Sequence, residues 1–335
     1  MVFMRIAIVK ISALGDIVHS MVVLQFIKKY NPEILIDWIV EENYKELLEN
    51  HPHINQIHTV NLRRAKNSKS IFQLFYELKK MRNLQSYDLL IDMQGLLKSA
   101  VIAKIIPSKL TIGFDKKSSR EPIASFFYNK KFNIGYEENV VKRNFELVNF
   151  ALGLPYDFES LDRKLPFLFS THGYENLNLS CFKKNVVIIP GASNSSKQYP
   201  VKKIAELTQR LDVNFIIIWG NEYEKKLANE ISGLSPKVKI SDKMSIDGLV
   251  SLVSRADLVI GGDTGPTHLA WALNIPSIAL FGSTPGYRNS MVSNINKIIE
   301  SKSDVNPLKI DKEDFSIQEI SVDEVLHFAQ SLLSI

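Results

Sequence analysis

The 335-residue chain predicts an α/β protein of two doubly wound lobes, and three observations lead there. Apolar runs of strand length alternate with amphipathic helical stretches, the pattern of parallel sheets covered on both faces. A strand, a glycine-containing turn and a helix follow one another both near the N-terminus and around residues 257–273. The length exceeds one comfortable core, so two domains of ~150 residues each are expected.

In the first lobe the chain opens on Ile6, Ala7, Ile8 and Val9, a continuous apolar run that reads as a buried parallel strand. A helix over 16–30 follows, its apolar face carried by Val18, Met21, Val22 and Phe26. Further strands are expected at 34–40, 56–60, 88–93 and 109–113, with helices at 43–50, 69–85, 95–105 and about 121–128. Residues 151–180, with Gly153, Pro155, Pro166 and Gly173, read as a connector. In the second lobe strands are expected at 185–190, 214–219, 237–240, 257–261 and 276–281, with helices at 200–211, 222–232, 245–256 and 266–273. Ser321 to Leu333 places Val322, Val325, Leu326 and Phe328 on one face and reads as a closing helix.

Composition narrows the class. Apolar residues make up 45% and charged residues 23%, as in a soluble globular protein. A single cysteine, Cys181, excludes an internal disulfide framework and fits a reducing cytoplasm. No stretch approaches the ~18 continuous apolar residues of a membrane span, and the short β-like N-terminal run does not read as a signal peptide. The net charge of +5 is uneven, because residues 1–160 hold 22 Lys+Arg against 17 Asp+Glu and the rest of the chain is balanced. A basic first lobe suits an anionic partner there, or a merely solvated surface. No aromatic interleaving or RNA-binding signature accompanies the charges, so nucleic acid is not expected as a partner. No amphipathic anchor is evident either, so any membrane contact is expected to be peripheral and electrostatic.

Two loops carry the candidate chemistry. After the first strand, Lys10-Ile11-Ser12-Ala13-Leu14-Gly15-Asp16 puts an acid at the strand's carboxyl end, where open α/β sheets place ligands. Taken alone, Asp16 reads first as a helix cap. Neither G-x-G-x-x-G nor a P-loop is present, so the dinucleotide and nucleoside-triphosphatase readings lose their main support. In the second lobe Gly261-Gly262-Asp263-Thr264-Gly265-Pro266-Thr267-His268 joins strand to helix. Pro266 suits a first helical turn, and the free amides there attract an anion such as a phosphate. His51, His53 and His58 span a helix end, a Pro turn and a strand, and are read as a solvated loop with no metal. Asp88 and Asp92 flank a buried strand and read as caps or pairing groups.

The chain resembles glycosyltransferase family 9 over nearly its whole length. The resemblance is carried by Ile8-Val9-Lys10 with Gly15-Asp16, Trp38-Ile39-Val40-Glu41-Glu42, the blocks Asp92 to Ala100 and Arg120 to Asn129, Trp219-Gly220, Lys243-Met244-Ser245, and Asp263-Thr264-Gly265. It implies a GT-B architecture: two Rossmann-like domains facing a central cleft, residues 1–165 binding the acceptor, 166–320 binding the donor, and 321–335 closing as a helix. It implies inverting transfer of L-glycero-D-manno-heptose from ADP-L-glycero-D-manno-heptose to Kdo of Kdo-lipid A, at the inner face of the cytoplasmic membrane. No cofactor or metal is expected.

On this resemblance Asp16 is the general base. Ser193, Lys197, Thr264 and Gly265 hold the diphosphate, Glu224 the ribose hydroxyls and Met244 the adenine; Asp263 holds heptose hydroxyls, with His268 near the sugar or phosphates. Arg63, Arg64, Gln94, Lys98, Arg120 and Arg143 supply donors for the acceptor's carboxylate and phosphates. The loop Ser195-Ser196-Lys197-Gln198-Tyr199-Pro200 lacks the charged residues and tryptophan that relatives often place there. Two alternatives stand beside this reading: a heptosyltransferase II acting on heptosyl-Kdo-lipid A, and a GT-B nucleotide-sugar epimerase.

Overall fold

The computed structural model describes residues 4–171, 173 and 177–335, and the chain divides into two compact units, Met1–Phe167 and Leu168–Ile335. The first unit runs β1 (Arg5–Val9), α1 (Leu14–Met21), α2 (Val23–Tyr30), β2 (Leu35–Glu41), α3 (Glu46–Glu49), β3 (Gln56–Val60), α4 (Leu62–Asn67), α5 (Ile71–Arg82), β4 (Leu89–Asp92), α6 (Leu97–Ile105), β5 (Thr111–Phe114), a 3-10 turn (Pro122–Phe127), β6 (Lys130–Phe132) and α7 (Val140–Leu152). Its strands pair in parallel in the order β3-β2-β1-β4-β5-β6. Val9 lies level with both Ile39 and Asp92, so the carboxyl ends of the three central strands share one edge.

The second unit runs β7 (Asn185–Ile189), α8 (Val201–Arg210), β8 (Asn214–Ile217), α9 (Glu222–Leu234), β9 (Val238–Ile240), α10 (Ile246–Val253), β10 (Leu258–Gly262), α11 (Gly265–Ala272), β11 (Ser277–Phe281), α12 (Gly286–Asn289), β12 (Asn296–Glu300) and α13 (Val322–Leu333). Its parallel sheet has the order β12-β11-β10-β7-β8-β9, which, counted from its own first strand, is the order of the first. In each unit the chain leaves the first strand one way and later returns to the fourth strand on its other side. Between those two strands the helices diverge and leave a crevice at the carboxyl edge.

The strands form because apolar side chains are buried on both faces. Ile6, Ala7, Ile8, Val9, Leu90 and Ile91 are fully shielded, as are Val186, Val187, Phe215, Ile216 and Val259. Helices α5 and α6 cover one face of the first sheet through Leu78, Met81, Ile102 and Ala103. Helix α13 closes over the second sheet with Val322, Val325, Ala329 and Leu333.

The structure departs from the expected elements where patterns are short or polar. The helix expected over 16–30 is two helices meeting at Val22. The segment 121–128 is a 3-10 turn, and the helix expected over 43–50 is a 3-10 turn (Glu42–Tyr44) followed by the single turn of α3. Strands β6 and β12, both edge strands, carry Lys130, Lys131, Lys297 and Glu300 and lack an apolar signature. Helix α7 runs into the expected connector; Asn139 caps its start and Gly153 ends it at φ 65. Of that connector, residues 172 and 174–176 lie outside those described. No described helix is long and apolar enough to cross a membrane.

Candidate functional site

In the first unit the predicted residues gather where β1 and β4 end. The Asp92 carboxylate is fully buried; it accepts from Tyr128 Oη at 2.8 Å and from the Gln94 and Gly95 amides at 2.8 and 3.3 Å. Burial pushes this carboxyl up, against the hydrogen bond from Tyr128. Asp92 is thus spent on shaping its own loop, where Gly95 takes φ 66, a left-handed conformation that favours glycine.

That loop presents Gln94, whose Oε1 accepts from the Ile11 and Ser12 amides at 3.0 and 3.1 Å. Lys98 Nζ donates to Ser12 Oγ at 3.0 Å. Buried Lys10 reaches the Met93 carbonyl at 2.9 Å, and Trp38 donates to the Lys10 carbonyl. The strand-to-helix turn is therefore fixed by its neighbour. Asp16 projects half-buried from the first turn of α1, its Oδ2 accepting from the Ala13 amide at 3.1 Å.

The arginines divide. Arg63 and Arg64 lie on α4, not in a loop, with exposed side chains; the Glu41 carboxylate accepts from the Arg63 amide at 2.8 Å and so pins that helix. Burial pushes the Glu41 carboxyl up, against that hydrogen bond and the nearby Lys98 charge. Arg120 is exposed, and its neighbour Glu121 accepts from the Leu97 amide at the start of α6. Arg143 departs from expectation. It is buried, donates to the carbonyls of Ser118, Ile134 and Gly135, and stacks on Phe114 and Tyr136. Its guanidinium holds the 115–135 segment in place and is not presented to an acceptor.

In the second unit the loops after β7 and β10 meet. Lys197, in a 3-10 turn beyond β7, places Nζ 2.7 Å from Asp263 Oδ2, with side chains 11% and 9% exposed. Thr284 Oγ1 and Asn289 Nδ2 donate to the same oxygen at 2.9 and 3.3 Å, and His268 Nε2 lies 3.3 Å from Oδ1. Burial pushes the Asp263 carboxyl up, but the His268 hydrogen bond and the Lys197 charge outweigh it and hold it well below the usual carboxylate range. Gly262 permits this meeting, since a Cβ there would run into the Lys197 carbonyl oxygen.

Helix α11 starts at Gly265 with Thr264 at its cap, and the Thr267 amide donates to the Thr264 carbonyl at 3.1 Å, so the Gly265 amide is the donor this helix start offers beside the pair. Glu224 Oε2 accepts from the Gly220 amide at 2.7 Å, and its side chain lies against Gly191 at the exit of β7. Ser193 is exposed on the same loop, and Met244 is half-buried just before α10.

Thr284 and Asn289 were not legible in the sequence, although Gly282-Ser283-Thr284-Pro285 directly follows β11 and repeats the strand, small polar turn and helix signal. Among the described residues no group of three or more His, Cys, Asp or Glu is placed to hold a metal ion. His51 and His53 stack, and burial pushes the His51 imidazole down to about 3. His58 turns to the buried network of Asp37, Tyr87 and Arg5, and so neither it nor His51 lies in a solvated loop.

In the second unit a held lysine charge beside a helix start is an arrangement that suits an anionic group such as a diphosphate. Comparison with known proteins agrees. The description Glycosyltransferase family 9 (heptosyltransferase) matches residues 75–314. The chain is 40% identical to lipopolysaccharide heptosyltransferase 1 of Campylobacter coli, over 98% of this chain and 99% of that one. It is 30% identical to lipopolysaccharide heptosyltransferase 1 of Escherichia coli K12, over 84% of this chain and 89% of that one. The solved structure of E. coli heptosyltransferase WaaC with ADP-2-deoxy-2-fluoro heptose superposes with a TM-score of 0.78 at 25% identity, covering 98% and 99% of the two chains. The two parallel sheets share the GT-B fold of that enzyme.

Proposed function

The chain belongs to glycosyltransferase family 9, and from that premise we propose that it transfers L-glycero-D-manno-heptose from ADP-heptose to Kdo of Kdo-lipid A, the first heptose of the lipopolysaccharide inner core. The observation that carries the donor and acceptor is the likeness to lipopolysaccharide heptosyltransferase 1 along nearly the whole chain. The site geometry supports it.

Asp16 takes the proton of the attacking Kdo hydroxyl as that oxygen bonds to the anomeric carbon. The bond from the anomeric carbon to the diphosphate breaks on the opposite face, which inverts the centre, and ADP leaves with the electron pair. An ammonium has three donors and Asp263 engages one in the free protein, so Lys197 can turn others to the diphosphate. With the Gly265 amide it meets the charge that develops there. Thr264 and Ser193 add hydroxyls, Glu224 accepts from the ribose, and Met244 packs on the adenine. Asp263 and His268 line the sugar end.

Lys98, Gln94, Arg120, Arg63 and Arg64 surround the acceptor's anionic groups, and Arg143 contributes by fixing the segment that carries Arg120. The protein works on the inner face of the cytoplasmic membrane, where the acceptor's acyl chains remain in the bilayer. Incubation with ADP-heptose and Kdo-lipid A, read by mass spectrometry, should add one heptose. Addition only to heptosyl-Kdo-lipid A, or no addition, overturns the assignment.

A further inference from the structure

Helix α5 presents its apolar residues the wrong way round for a buried helix. Leu78 and Met81 pack on the sheet, yet Ile71, Phe72, Phe75 and Tyr76 are 61%, 84%, 63% and 67% exposed. Phe72, Phe75 and Tyr76 stand at i, i+3 and i+4, so they form one stripe on the helix. Beyond α6, which packs against both α5 and the 3-10 turn Pro122–Phe127, that turn exposes Ile123 and Phe126. Bare aromatic rings grouped on one helix face are the kind of exposed apolar surface that marks an interaction site.

The charge around this surface selects the partner. From Leu62 to Arg82 seven basic side chains stand against one acid, Glu77, and Glu77 is buried. Arg63, Arg64, Lys66, Lys69, Lys79 and Arg82 are all exposed, and Lys131 lies over the Phe126 ring. Aromatic side chains set among Lys and Arg match a bilayer interface, where rings enter the headgroup region and cations meet anionic lipid. The topology adds a third point. Helix α5 follows β3 by way of α4, and its Lys80 donates to the Thr59 carbonyl near the carboxyl end of β3, while α6 starts just after β4, so the N-terminal half of α5 lies toward the same sheet edge as Asp16 and Lys98.

We infer that the exposed stripe of α5, with the Ile123–Phe126 turn, is a membrane-insertion surface that seats the first unit on an anionic bilayer. The expectation of purely electrostatic contact is thereby replaced: the basic residues attract, and Phe72, Phe75 and Tyr76 enter. The inference rests on the proposed lipid-linked acceptor, but it is tested apart from it. A soft, unpaired apolar stripe beside the acceptor site would place the sugar at the catalytic edge while the acyl chains stay in the membrane.

The experiment uses the full chain with vesicles of phosphatidylglycerol and phosphatidylethanolamine, or of phosphatidylcholine alone. Flotation should show binding to the anionic vesicles, and Phe72→Ser with Phe75→Ser should lower it by ~10-fold or more. A Phe72→Trp variant should gain a fluorescence signal quenched by bromine-labelled acyl chains in the same anionic vesicles. Turnover of a water-soluble, deacylated Kdo acceptor should be unchanged by either substitution, which separates this surface from the transferase site. Salt-sensitive vesicle binding with no quenching at position 72 overturns the inference in favour of charge alone. A wild-type dimer that the double Ser variant converts to monomer overturns it in favour of a second copy covering the stripe.

Discussion

Replacing Asp16 by Asn tests the assignment of the base most directly, because the structure separates its two effects. One carboxylate oxygen accepts from the Ala13 amide at 3.1 Å, and an Asn carbonyl oxygen can accept the same bond. The turn is also held from outside by Gln94 on the Ile11 and Ser12 amides, so Asp16→Asn should change the melting temperature by no more than about 2 °C. What the amide cannot do is take a proton. Loss of a general base typically costs ~10²–10⁴ in rate, or roughly 2.7–5.4 kcal/mol of transition-state stabilisation. Steady-state turnover with saturating ADP-heptose and Kdo-lipid A should therefore fall by that range, while the Kd for ADP, measured by calorimetry, stays within about twofold. Turnover within tenfold of wild type would refute the role. Asp92 could not then inherit it, since it is fully buried and bonded to Tyr128 and two amides.

Lys197→Ala should weaken ADP binding by roughly 10- to 150-fold, since a charge-assisted contact is worth ~1.5–3 kcal/mol; transfer should survive EDTA, and loss restored by Mg²⁺ would contradict the role given to Lys197. Arg120→Ala should raise the KM for Kdo-lipid A several-fold more than that for ADP-heptose, and rising salt should act the same way through screening over ~8–10 Å; equal effects in steady-state kinetics would reduce the basic lobe to a solvated surface. His51 titrates near 6.5 when unfolded and at about 3 in the fold because it is buried. Between those values the unfolded chain binds more protons, so stability is lost as pH falls through that window, by about 1.4 kcal/mol per unit from this group. Urea unfolding from pH 6.5 to 4 should show a shallower pH slope in His51→Leu than in wild type.

The parallel strands were legible because burial on both faces leaves unbroken apolar runs, as in Ile6 to Val9 and Val186 to Ile189. The edge strands β6 and β12 were not, since side chains such as Lys130 and Lys131 on β6 face water and give no pattern. Among the candidate site residues, Asp16 and Asp263 stood out by their place after strands, and Lys197 through the family resemblance. Their contacts could not be read, because each crosses many residues: Lys197 to Asp263, Lys98 to Ser12, Gln94 to Ile11. Arg143 misled for the same reason. A basic residue beside Lys142 looks like surface, and only the fold shows its guanidinium bonded to Ser118, 25 residues away. The α5 stripe was missed because a helix with apolar residues on two faces reads as an ordinary core helix until one face is found bare.

The shared strand order places two acids at equivalent crevices, one in each unit, and their surroundings differ. In each unit the crevice lies between the first and fourth strands, and in each the two flanking loops are bonded together. In the second unit the bond is between charges: Asp263 is ringed by Lys197, His268, Thr284 and Asn289. A carboxyl held that far below its usual range is a poor proton acceptor but a durable anchor, and it keeps the Lys197 side chain in place. In the first unit the loops are joined by neutral bonds from Gln94 to amides, and among the described residues no cation lies within ion-pair distance of Asp16. Its carboxylate is positioned without being neutralised, which a general base requires. Asp263→Asn should accordingly differ in kind from Asp16→Asn: it releases Lys197 and raises the Kd for ADP-heptose, whereas the Asp16 variant leaves donor affinity alone. If calorimetry on both variants gave the same donor affinity, the division of labour between the two crevices would be wrong.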